Sequence, residues 1–202
     1  MSLRTTISLA LLALVSFAAD SALAAKPATP DAVIAGSKGE ERINISFDDK
    51  HVYVDVGDKQ LMGESHSIKR FWRRGPGGEA VAEVKSGDDG FKIRTPADKL
   101  ILKVKVTADK IKIADNEEMQ NAWSIKFKAN ENAKVFDAKE KQVGAVKFAA
   151  DTGKIKIKDA ADKDLYVVES GKRSNSYGAL LLKDVPEEYR RILLGELFVR
   201  GL

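Results

Sequence analysis

Residues 100–106 read LILKVKV, and the order of those seven side chains decides the class of fold. Leu100, Leu102, Val104 and Val106 fall on one face of an extended chain and Ile101, Lys103 and Lys105 on the other, because successive side chains of a strand point to opposite sides. One face suits burial and the other is mostly wet. The alternation recurs in KIKIAD at 110–115, SIKFK at 124–128 and KIKIKD at 154–159, with lysines opposite the apolar positions. About a dozen such segments lie between Ile43 and Leu182, broken by the Asp, Gly and Asn residues that favour tight turns. The expected fold is mainly β: an antiparallel hairpin array forming a barrel or sandwich of about twelve short strands.

Part of this array keeps a fixed spacing. Ile93, Val135 and Ile157 each have an apolar residue eight positions on (Ile101, Val143, Leu165) and a valine eleven on (Val104, Val146, Val168). An acid stands five on (Asp98, Glu140, Asp162), followed by a lysine (Lys99, Lys141, Lys163), and position two is Thr95, Asp137 or Asp159. Each unit reads as a strand, a polar turn whose Asp or Thr can bond its own backbone, and a returning strand. Ile113 opens a related unit whose turn is lengthened by NEEMQNA. The spacing is about one hairpin per 21 residues. Duplication and convergent turn chemistry both account for it.

The period then changes. After a strand-like GALLL at 178–182, Asp184 is placed to cap a helix and Pro186 to stand near its start. Glu187 and Glu188 fill the first turn, where the helix dipole favours negative charge, and Gly201 is placed to end a helix over 186–200. Ile192, Leu193, Leu194, Leu197, Phe198 and Val199 make it apolar around much of its circumference, which predicts burial on more than one side.

At the other end, Arg4, the apolar run Ile7–Ala19 and the small residues Ala22 and Ala24 read as a cleavable export signal over 1–24. Residues 25–42, with Pro27 and Pro30, read as a flexible linker, and 43–202 as a single β-rich domain. The expected location is secreted or periplasmic, with no transmembrane segment in the mature chain. Cysteine is absent, so thiol catalysis, iron–sulfur ligation and cysteine-based zinc sites are excluded and the core alone must hold the fold. The net charge of +4 and isoelectric point near 9.1 permit anionic partners.

KVFDAKEKQVGAVKF at 134–148 and ALLLKDVPEEYRRILLGELF at 179–198 are similar in style to the strand–turn–strand units and final helix of the tubby C-terminal, phospholipid scramblase and LURP-one group. The resemblance covers about residues 43–202 and implies a closed barrel around a central C-terminal helix. Glu196 and Arg200 depart from that group's almost wholly apolar helix. The group's lipid-related roles vary.

Few residues mark a chemistry. His51 and His66 are the only histidines, and the acids near them lack EF-hand spacing, so neither a metal nor another cofactor is expected. No serine sits in a GxSxG setting, and no catalytic residue can be named; the chain is expected not to be an enzyme. RGPGGE at 74–79 lacks the Lys-Ser/Thr of a phosphate loop and reads as a turn. One stretch stands out: KRFWRR at 69–74, whose Lys69, Arg70, Trp72, Arg73 and Arg74 form a candidate ligand-binding cluster. The functional expectation is an exported binding or scaffolding domain, with recognition of an anionic lipid surface or acidic polysaccharide as the alternative; nucleic acid is not expected.

Overall fold

The computed structural model describes residues 25–39, 41–128 and 132–202; the segment 1–24, expected to be an export signal, lies outside the described residues. Among them run fourteen strands: β1 (Ala32–Gly36), β2 (Arg42–Phe47), β3 (His51–Val56), β4 (Lys59–His66), β5 (Lys69–Arg74), β6 (Ala80–Gly87), β7 (Gly90–Arg94), β8 (Leu100–Val106), β9 (Lys110–Ala114), β10 (Trp123–Phe127), β11 (Ala133–Phe136), β12 (Gln142–Phe148), β13 (Ile155–Asp159) and β14 (Asp164–Ser170). Each pairs antiparallel with its sequence neighbours, and β14 returns to β1, so the sheet is a closed barrel. The expected mainly β hairpin array is present, with two strands more than the dozen anticipated.

One of the extra strands corrects the linker reading of 25–42. Ala32, Val33 and Ile34 are buried, and β1 lies between β14 and β2, Ile34 opposite both Val168 and Ile43. Without it two rows of backbone donors and acceptors would be left unpaired. AVIAG is short and has no alternating lysines, so the pattern that marks the other strands is missing there.

A barrel of eight strands can be filled by side chains alone, whereas one this wide has room for a helix about 10–12 Å across. The chain after β14 fills that room. A 3-10 segment (Asn175–Leu181) runs down the lumen, and helix α1 (Glu187–Val199) returns. The segment 178–182 is therefore not the strand that GALLL suggested: the closed sheet offers no edge to pair with, and the buried run closes its hydrogen bonds locally, as in Leu182 N–H to the Ala179 carbonyl at 3.2 Å. Ile192, Leu193, Leu194, Leu197 and Phe198 are fully buried, which contributes on the order of 10 kcal/mol as an upper bound.

The helix ends also differ in part from expectation. Its N-cap is Pro186, whose carbonyl accepts from Arg190 N–H at 2.9 Å, while Asp184 is exposed and outside the first turn. At the other end Gly201 takes φ +77°; its N–H donates to Phe198 and that of Leu202 to Leu197, each at 3.1 Å, which is a Schellman closure.

Candidate functional site

KRFWRR forms β5, and strand alternation divides its residues between two environments. Trp72 is fully buried in the lumen and donates its indole N–H to Glu196 Oε1 of α1 at 2.8 Å. Arg70 Nη1 reaches the other oxygen of the same carboxylate at 2.9 Å, and Arg200 Nη2 joins it at 3.1 Å. Arg74 grips Glu188 near the start of the helix with two hydrogen bonds, at 2.7 and 3.0 Å, and also meets Glu79. Arg70, Trp72 and Arg74 thus form an inner ladder that docks α1. Lys69 and Arg73 stand on the outer wall, Lys69 paired with Glu83 at 2.8 Å. The strand does not bring the five expected ligand residues to one surface, and four of them already have partners within the fold.

The outer wall has an organisation that counting lysines does not reveal. Lys69 lies directly opposite Lys85, Lys85 opposite Lys92, and Lys92 opposite Lys103, a row crossing β5, β6, β7 and β8. Further round, Lys105 faces Lys112, Lys110 faces Lys126, Lys126 faces Lys134, and Lys147 faces Lys156. Like charges directly opposite on neighbouring strands repel and destabilise a sheet. Acids in and beside the turns relieve part of this: Lys105 pairs with Asp89 at 2.9 Å, and Lys158 with Asp162 and Asp164 at 3.1 and 3.2 Å. Lys85, Lys112 and Lys134 are exposed and have no ion pair among the described residues.

The row from Lys69 to Lys103 lines a furrow of about 770 Å³. Gly87 and Gly90, opposite each other where β6 turns into β7, line one end of it. Five cations, Lys69, Lys85, Lys92, Arg94 and Lys103, line it against the carboxylates of Glu83, Asp89 and Asp98. Beside it, one further carboxylate arrives from a distance. Glu117, in the long connection between β9 and β10, sits 2.8 Å from Lys92 Nζ, 2.7 Å from Arg94 Nη2 and 3.5 Å from Lys103 Nζ. Its backbone carbonyl also accepts from Lys103 Nζ at 2.5 Å. The Lys92 ammonium bonded to it, helped by Lys103, holds its carboxyl below the ordinary range against the opposing effect of burial.

No protein family, curated protein or solved structure matches this chain.

The remaining candidates stay apart. His51 Nδ1 lies 3.2 Å from Asp48 and His66 Nε2 3.2 Å from Glu64, and among the described residues no cluster of three or more His, Asp or Glu side chains is disposed to hold a metal. RGPGGE is the β5–β6 turn, with Gly75 and Gly77 at φ +67° and +69°. No helix among the described residues is long and apolar enough to cross a membrane. Sequence reasoning found the lysines of the wall but not their cross-strand register, and it passed over Glu117, whose only signal was the insertion NEEMQNA that breaks the regular spacing.

Proposed function

We propose that this chain is an exported, non-enzymatic binding domain that attaches to anionic ligands, acidic polysaccharide or lipid headgroups, through the lysine-faced outer wall of its barrel. The observation that carries the reading is the direct cross-strand pairing of lysines on a closed sheet. Lysines on an open edge discourage unwanted strand pairing, but a closed barrel has no edge to guard. A repulsive register kept without that purpose fits a surface whose complement is negative. The apolar, filled lumen supports a non-catalytic reading, because the space that could hold a substrate contains α1 and the 3-10 segment. Outward lysines and an inward apolar face are also the reverse of a membrane-spanning barrel, where a lysine at the bilayer midplane costs about 2–4 kcal/mol. Kinship with the tubby, scramblase and LURP-one group is proposed on one observation, the helix threaded through a closed barrel, and transfers no particular role.

Protein lacking residues 1–24 should be retained on an immobilised polyuronate or on vesicles of acidic phospholipid at low salt. Retention should fall as salt shortens the screening length to about 10 Å at 0.1 M. Passage through both without delay at low salt would refute the reading.

A further inference from the structure

The furrow across β5–β8 differs from the rest of the wall in two respects. Its lysines form an unbroken row of four, and a carboxylate of the protein itself is already bound at one end of it. Neighbouring strands are about 4.8 Å apart, so the bases of the four lysines are spaced by that interval over roughly 15 Å. A linear acidic sugar chain lying across the strands brings successive carboxylates within reach of the row, because each lysine carries its charge on a flexible four-carbon stem. Phospholipid headgroups on a broad surface gain nothing from such a row that scattered lysines would not also supply.

The environment of Glu117 shows which anion suits the cluster. Lys92, Arg94 and Lys103 converge on its carboxylate, with the Arg94 guanidinium at 2.7 Å in the range of a charge-assisted hydrogen bond. Glu117 comes from the one unit of the spaced array whose turn is lengthened, so the same insertion that breaks the pattern carries this acid over β7 and β8.

Resting on the anionic-ligand reading above, we infer that the furrow is a binding site for a linear polycarboxylate, and that Glu117 occupies the place of one ligand carboxylate and is displaced when the polymer binds. Glu117 then acts as a built-in competitor. Lys85, exposed and without an ion pair among the described residues, meets the polymer first, and Lys92, Arg94 and Lys103 exchange the internal carboxylate for an external one.

The test compares charge-matched variants by titration with polygalacturonate, dextran sulfate and acidic vesicles. Lys85→Ser with Lys103→Ser should weaken polygalacturonate binding by up to about tenfold, and Lys112→Ser with Lys134→Ser, which remove the same charge elsewhere, should have a much smaller effect. Glu117→Gln should bind more tightly than wild type, whereas Glu140→Gln, an exposed turn acid, should not. Hydrogen exchange should also rise over residues 115–122 when the polymer is added, since the loop loses its anchor. Equal losses from the two lysine pairs would overturn the furrow while leaving the broader anionic-ligand reading in place. Preference for sulfate polymer or vesicles over polygalacturonate would overturn the carboxylate assignment. Unchanged affinity in Glu117→Gln, or unchanged exchange over 115–122, would overturn the displacement. Binding to none of the three probes would remove the inference together with the reading beneath it.

Discussion

At the scale of single residues, Glu196 decides how the helix sits. It is fully buried, and its two oxygens are shared among Arg70, Arg200 and the Trp72 indole. The approach is close because glycines stand against the indole on two sides. A Cβ on Gly63 would lie 2.7 Å from Trp72 Cε2, and one on Gly195 would lie 3.0 Å from Trp72 Cη2. In the sequence Glu196 interrupts an apolar helix; in the fold it is the residue to which two cations and an indole donate. Removing one partner of a buried charged cluster costs about 3–5 kcal/mol because the others are left uncompensated. Glu196→Ala should therefore lower the stability measured by urea unfolding by about that amount, and Glu196→Gln, which keeps an acceptor for Trp72, by less. An Ala variant with the wild-type urea midpoint would mean that the cluster contributes nothing to holding α1.

At the scale of elements, the three short turns of the spaced array share their hydrogen bonds. Asp98 N–H donates to Thr95, Glu140 N–H to Asp137 and Asp162 N–H to Asp159, at 2.9, 3.0 and 3.1 Å. The acid five positions into each unit is the residue that takes the left-handed conformation, at φ +61°, +59° and +66°. A register shift falls at the same place in each preceding strand, after Ile93, Val135 and Ile157. Asp tolerates positive φ better than Glu, because its short side chain can bond the nearby backbone. Glu140 is the strained member of the three. Replacing it with Gly should raise stability by about 0.5–1 kcal/mol in thermal or urea unfolding, the relief of strain exceeding the added freedom of the unfolded chain. A destabilised Glu140→Gly variant would show that the side chain supports the turn in some other way.

At the scale of the whole molecule, turn carboxylates and wall lysines couple stability to pH. Hydrogen bonds from Lys105 to Asp89, from Lys147 and Lys158 to Asp162, and from Lys156 to Asp164 hold those carboxyls below their ordinary values. A carboxyl with a depressed folded pKa adds stability that is fully present above its unfolded value and is lost as pH falls through its folded value. The melting temperature should thus change little between about pH 5 and 8 and fall progressively below about pH 4. The fall should be shallower in high salt, which screens exposed pairs. A melting temperature that rose below pH 4 would contradict the assignment of these lysine–carboxylate contacts as stabilising.

Much of this architecture is local information, and local information is legible in a chain. Alternation in LILKVKV separates a buried face from a wet one, Asp and Glu mark the turns, and the apolar run with Gly201 at its end marks the terminal helix; each depends on residues a few positions apart. Contacts between distant residues are what tertiary structure alone decided. AVIAG became a strand because β14 and β2 each needed a partner, and GALLL did not because the sheet was already closed. Alternation divides KRFWRR into two faces but cannot say which is inward when both contain bases and an aromatic ring; the carboxylate of Glu196, more than 120 residues away, settles that. The same holds for the candidate site. Four lysines can be seen in four strands, but their meeting in one row, and the arrival of Glu117 beside them, depend on the register of strands that pairing fixes across the sheet.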